Sequence, residues 1–140
     1  MVDLWRVARE GTGWGEPERV SASTPRDDLY PSLDEEGRLY FGNPLVADEG
    51  PGHWRVVSAQ PADDEDDGEY EEPVPIPGGV KREPHWAFNP AVSPDGRRLL
   101  FTRLNPIDAQ ATGFGELYVA HLEGEGAEAH WGEPVNLGPR

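Results

Sequence analysis

Between Phe88 and Phe101 the chain reads Phe-Asn-Pro-Ala-Val-Ser-Pro-Asp-Gly-Arg-Arg-Leu-Leu-Phe, an apolar run, a polar tetrapeptide and a second apolar run. The tetrapeptide Ser93-Pro94-Asp95-Gly96 suits a type I turn, because proline presets φ at the second position and glycine accepts the left-handed conformation that follows. Beyond it, Leu99 and Phe101 share one face at period two, so the pattern predicts a β-hairpin with an apolar face that needs covering. A shorter version occupies Pro31 to Phe41, where Asp34 to Gly37 keeps the glycine and lacks the proline. Phe41 and Phe101 stand 60 residues apart.

A second pattern has the same spacing. Trp14 to Val20, Tyr70 to Ile76 and Trp131 to Leu137 share the order aromatic, any residue, Glu, Pro, two of any kind, aliphatic, with prolines 56 and 61 residues apart. Proline cannot donate to a central ladder, so this recurring strand belongs at a sheet edge. A short strand with an aromatic near its start precedes each copy: Leu4 to Val7, His53 to Val56 and Leu117 to Ala120. That alignment makes Trp5, Trp54 and Tyr118 equivalent. With the hairpin strands as a and b and these as c and d, the chain runs c-d, a-b-c-d, a-b-c-d. Asp63 to Glu72 and Leu104 to Phe114 read as surface loops, and Asn43-Pro44, Asn89-Pro90 and Asn105-Pro106 as strand punctuation, since the residue before proline is pushed out of the helical region.

Four short antiparallel strands per repeat, with the apolar hairpin inside and a proline-bearing strand outside, suit a β-propeller blade. The residues Ser93 to Phe101, Gly113 to Tyr118 and Trp131 to Gly138 resemble the WD40-like repeat of TolB-type propellers, in which an SPDG turn, an aliphatic-x-Phe strand, a DLY-type strand and a W-x-E-P-x-x-L strand follow in this order. Two departures stand out. The acidic residue that the family carries three positions before the inner-strand proline is matched by Asp28 but replaced by Ala87, and the first turn is Asp-Glu-Glu-Gly.

The resemblance implies an all-β fold of β-propeller-type four-stranded antiparallel blades, about two and a half of them, in an incomplete ring. The chain then forms one repeat domain over 1–140, with a half blade at 1–24 and blades at 25–77 and 78–140. It also implies bacterial repeat modules that dock onto other proteins, often in the periplasm or cell envelope, or that cap serine peptidases. A propeller typically takes four to eight blades to close.

Composition sharpens this picture. Fifteen prolines and seventeen glycines in 140 residues favour short elements joined by turns, and no stretch keeps a capped helical period. The net charge of −15 repels nucleic acid and anionic lipid. No apolar run is long enough for a membrane helix, which predicts no membrane insertion. The first residues lack the apolar centre of a signal peptide, so the chain reads as cytoplasmic as written, or periplasmic if a leader has been removed. Absent cysteine rules out disulfides and thiolate metal sites.

Candidate chemistry is sparse. The run Asp63 to Glu72 puts Asp63, Glu65 and Asp67 at positions one, three and five of an EF-hand loop with Gly68 at six, but position twelve is Val74 and no helices flank it. What remains is a weak cation site at Asp63, Glu65 and Asp67. The pairs His53-Trp54, His85-Trp86 and His130-Trp131 suggest zinc by composition, yet they fall on different elements of the repeat. Repeated aromatics read as packing. Trp86 has no equivalent, which makes it the candidate for a binding surface. Neither a Gly-x-Ser-x-Gly elbow nor a glycine-rich phosphate loop occurs. No cofactor is expected.

The expectation is a non-enzymatic repeat protein acting in protein–protein interaction, its ring completed by self-association or by a protein partner. A second reading makes the chain a propeller segment of a larger enzyme, such as a peptidase cap, and a third a ligand- or cation-binding propeller.

Overall fold

A computed structural model describes residues 1–44, 54–62, 68–80, 85–105 and 115–138. Among them the chain is all-β, its paired strands antiparallel, with an isolated parallel bridge between Gly78 and Trp131 and one three-residue 3₁₀ turn at Gly126–Glu128. The candidate cation residues Asp63, Glu65 and Asp67 lie outside the described residues, as do His53, Lys81 and Arg82.

The N-terminal part is a two-stranded sheet, β1 (Trp5–Arg6) with β4 (Glu18–Arg19), extended by a hairpin of β2 (Arg9–Glu10) and β3 (Gly13–Trp14). A four-stranded sheet follows in sequential order: β5 (Leu29–Leu33), β6 (Leu39–Asn43), β7 (Arg55–Ala59) and β8 (Val74–Pro75). The last sheet joins β9 (Trp86–Val92), β10 (Arg98–Leu104) and β11 (Glu116–Glu123), with both β12 (His130–Trp131) and β13 (Val135–Asn136) paired to β11. Strands β8 and β13, each preceded by a Glu-Pro step, take the outer positions that a residue without an N–H requires.

Backbone hydrogen bonds give the repeat its register. Val20, Ile76 and Leu137 donate to Leu4, Val56 and Leu117 at 2.9, 3.3 and 2.9 Å. Gly15, Glu71 and Gly132 donate to Ala8, Gln60 and His121, each at 2.9 Å. These bonds make Trp5, Val57 and Tyr118 equivalent and correct the sequence alignment of the middle strand by three residues. Trp54 is therefore not the counterpart of Tyr118. The ladder agrees, because Val57 lies opposite Phe41 as Tyr118 lies opposite Phe101.

Both hairpins form around their glycine turns. Gly37 and Gly96 have φ of 80° and 67° and donate to Asp34 and Ser93 at 3.1 and 2.8 Å. Both first strands also carry a bulge just before the proline. The residues there, Tyr30 and Asn89, have φ of 59° and 52°, a left-handed conformation costing about 1 kcal/mol or more for a side-chain-bearing residue. Asn89-Pro90 thus sits inside β9, where the sequence places strand punctuation. The bulge, which bends the strand, overrides the pre-proline preference for extended backbone.

The three sheets stack as layers. Leu39, Phe41, Val57 and Ala59 on one face of the middle sheet meet Leu4, Val20 and Ala22 of the N-terminal layer. Tyr40, Val56 and Ile76 on its other face meet Ala87, Leu99, Phe101, Ala120 and Trp131 of the last sheet. Period-two alternation therefore buries both faces of the middle sheet, and β6 is buried throughout. Burial of a phenylalanine such as Phe41 or Phe101, both fully buried, contributes about 2–3 kcal/mol. The last two layers are also tied at their first strands, where Val92 N donates to Ser32 Oγ at 3.0 Å and Glu35 N to Pro94 O at 2.8 Å.

Candidate functional site

Repetition lets each position be compared with its equivalents, and the comparison isolates two faces. Leu4 and Val20 are 5% and 7% exposed and their counterparts Val56 and Ile76 are 2% and 4%, whereas Leu117 and Leu137 of the last sheet are 46% and 51%. Tyr40 is buried and its counterpart Leu100 is exposed. The first two sets lie under the next layer. Among the described residues the third lies under nothing.

The opposite end shows the converse. Trp131 is 2% exposed and meets Tyr40 edge-on at 6.2 Å, while its counterpart Trp14 is 72% exposed. Val57 and Ala59 are fully buried, but Trp5 and Val7 at the same positions of the N-terminal layer are exposed. Among the described residues β1 pairs with β4 alone, where β7 and β11 each have a hairpin strand on the other side. The molecule therefore ends in two unlike apolar faces: Leu100, Leu117 and Leu137 on the last sheet, and Trp5, Val7 and Trp14 on the first layer.

Trp86, the aromatic singled out by sequence, sits elsewhere. It is half-buried and lines a small apolar cleft of about 170 Å³ with Leu29, Tyr30, Trp54, Phe88 and Leu104. The cleft lies between the middle and last sheets, and one of the two left-handed bulge residues, Tyr30, lines it. Trp54, immediately before β7, joins this wall, and its carbonyl accepts from the Ala87 amide of the last sheet at 3.0 Å. Sequence reasoning missed Trp54 through the three-residue slip described above.

The other end of the same junction holds a polar cleft of about 450 Å³, whose lining includes Asp34, Arg38, Tyr40, Asp95, Arg97 and Trp131. Its two aspartates, Asp34 and Asp95, are engaged by the turns. Asp34 accepts from the Glu36 and Arg38 amides at 3.1 and 2.9 Å. Asp95 accepts from Ser93 Oγ and from the Arg97 amide, and these two bonds hold its carboxyl below the usual range. Burial pushes the Tyr40 phenol up, so it stays protonated.

Buried polar groups bolt a hairpin strand of each of the two larger sheets to the segment that enters that sheet. Asp28 is fully buried and accepts from Thr24 N at 2.7 Å, Thr24 Oγ1 at 3.0 Å and Asn43 Nδ2. At the position equivalent to Asn43, Arg103 donates to Gly79 O and Val80 O at 3.0 and 3.4 Å and lies over the Tyr118 ring at 4.7 Å. Ala87, where a carboxylate was expected, is buried in the core.

His85 and His130 are well separated in the chain and on different sides of the last sheet's strand order, the latter 3.5 Å from Glu123 Oε2. Among the described residues no three His, Cys, Asp or Glu side chains are grouped to hold a metal ion. No described helix is long and apolar enough to cross a membrane.

No protein-family model, curated protein or solved structure matches the chain.

Proposed function

We propose that the three layers are blades of a β-propeller-type repeat of the TolB kind, and that the protein's work is to bind other protein through the ends of the stack. One observation carries this reading. Leu117 and Leu137 are about half exposed at positions whose two earlier counterparts are covered by a neighbouring layer. Aliphatic side chains aligned across paired strands form a patch suited to a protein partner. The conflicting demands of solubility are met by the charge of −15 carried elsewhere.

Dye binding tests the reading. A purified chain should bind an apolar fluorescent probe at this face or bury the face in an assembly, and Leu117→Ser with Leu137→Ser should abolish either behaviour. A monomer that binds no probe refutes it.

A further inference from the structure

The two faces left uncovered among the described residues are complementary in kind. At the junction of the middle and last sheets, Tyr40, Val56 and Ile76 of one layer receive Trp131, Tyr118 and Ala120 of the next. At the first junction, Leu4 and Val20 receive Tyr70, Val57 and Ala59 in the same way. The last sheet offers Leu100, Leu117 and Leu137, the counterparts of the receiving set. The first layer offers Trp14, Trp5 and Val7, the counterparts of the inserting set. On the two outer strands each face therefore lacks what the other supplies, while the hairpin residues Leu39 and Phe41, or Leu99 and Phe101, that also enter the two junctions have no counterpart in the first layer.

We infer that the chain associates head to tail with a second copy, Trp14 and Trp5 of one copy seating on Leu100, Leu117 and Leu137 of the other. This rests on the docking reading above. Coverage by so small a layer has a precedent inside the molecule, since Leu4 and Val20, flanking two short strands, with Ala22, help leave Leu39, Phe41, Val57 and Ala59 at most 4% exposed. Tryptophan is the residue type most often found at the energetic centre of interfaces. Because the two faces differ, the contact is heterologous and copies add until a ring closes or a filament grows. The charge of −15 opposes association at long range. Raising salt from about 0.01 M to about 1 M shortens the screening length roughly tenfold and should tighten the complex.

Sedimentation velocity on the intact chain provides the test. The wild type should exceed 15.4 kDa in a concentration-dependent way. Trp14→Glu and Leu137→Glu, both at exposed positions, should each weaken association by roughly thirtyfold or more, the effect of losing one interface hot spot. Mixed together, each variant keeps one sound face, so they should form a 1:1 dimer and stop there. Val135→Glu, on a strand position left exposed in the middle sheet too, should change nothing. A Trp14→Glu protein that still assembles as the wild type does overturns the head-to-tail contact in favour of a face-to-face one. A wild type that stays monomeric overturns self-association. If that monomer binds the apolar probe and Leu137→Glu removes the signal, the docking face stands and takes another protein. If it binds none, both inferences fall.

Discussion

Equivalent residues with unequal cover permit a stability comparison that isolates the effect of the neighbouring layer. Ile76 is 4% exposed and Leu137, at the same place one repeat later, is 51% exposed. Truncation of Ile76 to alanine removes three carbons from a packed junction. At about 0.8 kcal/mol per buried carbon the transfer loss is about 2.4 kcal/mol, and the cavity between the middle and last sheets brings the total to about 3–4 kcal/mol. Leu137→Ala removes the same number of carbons from a half-solvated site, with no facing layer to leave a cavity, and should lose about 1 kcal/mol or less. Urea unfolding of both variants in dilute solution should give midpoints that differ while the slope stays constant. If the proposed second copy covers Leu137, the gap should narrow at higher protein concentration, where the substitution also destabilises the assembled form. Equal losses at the two sites in dilute solution would refute the claim that Leu137 lies uncovered.

Other expectations follow from the bolts and turns. Asp28→Ala strands the Thr24 amide in the interior, leaves Asn43 Nδ2 only its bond to Thr24 Oγ1, and should lose about 2–4 kcal/mol by thermal or urea unfolding, whereas a surface carboxylate such as Glu125 should tolerate alanine. Gly78→Ala should be among the most damaging single changes, since φ is 102° and a Cβ would lie 2.0 Å from Trp131 O; near-ultraviolet circular dichroism of the displaced Trp131 would register it. In acid, Asp95 and Asp3 have lowered folded pKa values, so the stability they contribute is present above the unfolded value near 3.9 and is lost as pH falls through the folded one. Ser93→Ala should flatten that acid limb, and an unchanged limb would count against the turn bond. In alkali the raised phenols of Tyr40 and Tyr70 act oppositely: stability should fall as pH climbs past about 10, where the unfolded chain ionises first.

The parts of the molecule written in local chemistry were legible in the sequence. Gly37 and Gly96 mark turns because only glycine enters left-handed space freely, and the Glu-Pro step marks an outer strand because proline offers no donor. Trp54 misled because an aromatic before an aliphatic run looks like the opening of a strand. Only the ladder from Phe41 to Val57 sets that register, and an odd-numbered slip exchanges the two faces. Tyr30 and Asn89 were illegible for a related reason. Their φ is imposed by a bulge that closes only when β5 and β9 pair with their partners, against the preference of any residue preceding proline. Asp28 stands out as the match to the acidic place before the inner-strand proline, but its burial depends on Asn43 arriving from another strand and was not legible. Trp86, singled out by its lack of a counterpart, lines the small apolar cleft. The open aliphatic face needed the exposures themselves, since Leu137 and Ile76 look alike in sequence.

The bolts at Asn43 and Arg103 have a bearing on how such a chain can be recombined. Each runs from a hairpin strand to the segment that enters its own sheet, but one joins an amide to a carboxylate and the other a guanidinium to bare carbonyls. A hairpin grafted alone from one repeat into the other would set Arg103 beside Asp28, or leave Asn43 facing carbonyls beyond its reach. The interchangeable cassette is therefore longer than a sheet. It begins upstream, at Thr24 or Gly79, and any cut made inside that span separates a lock from its key.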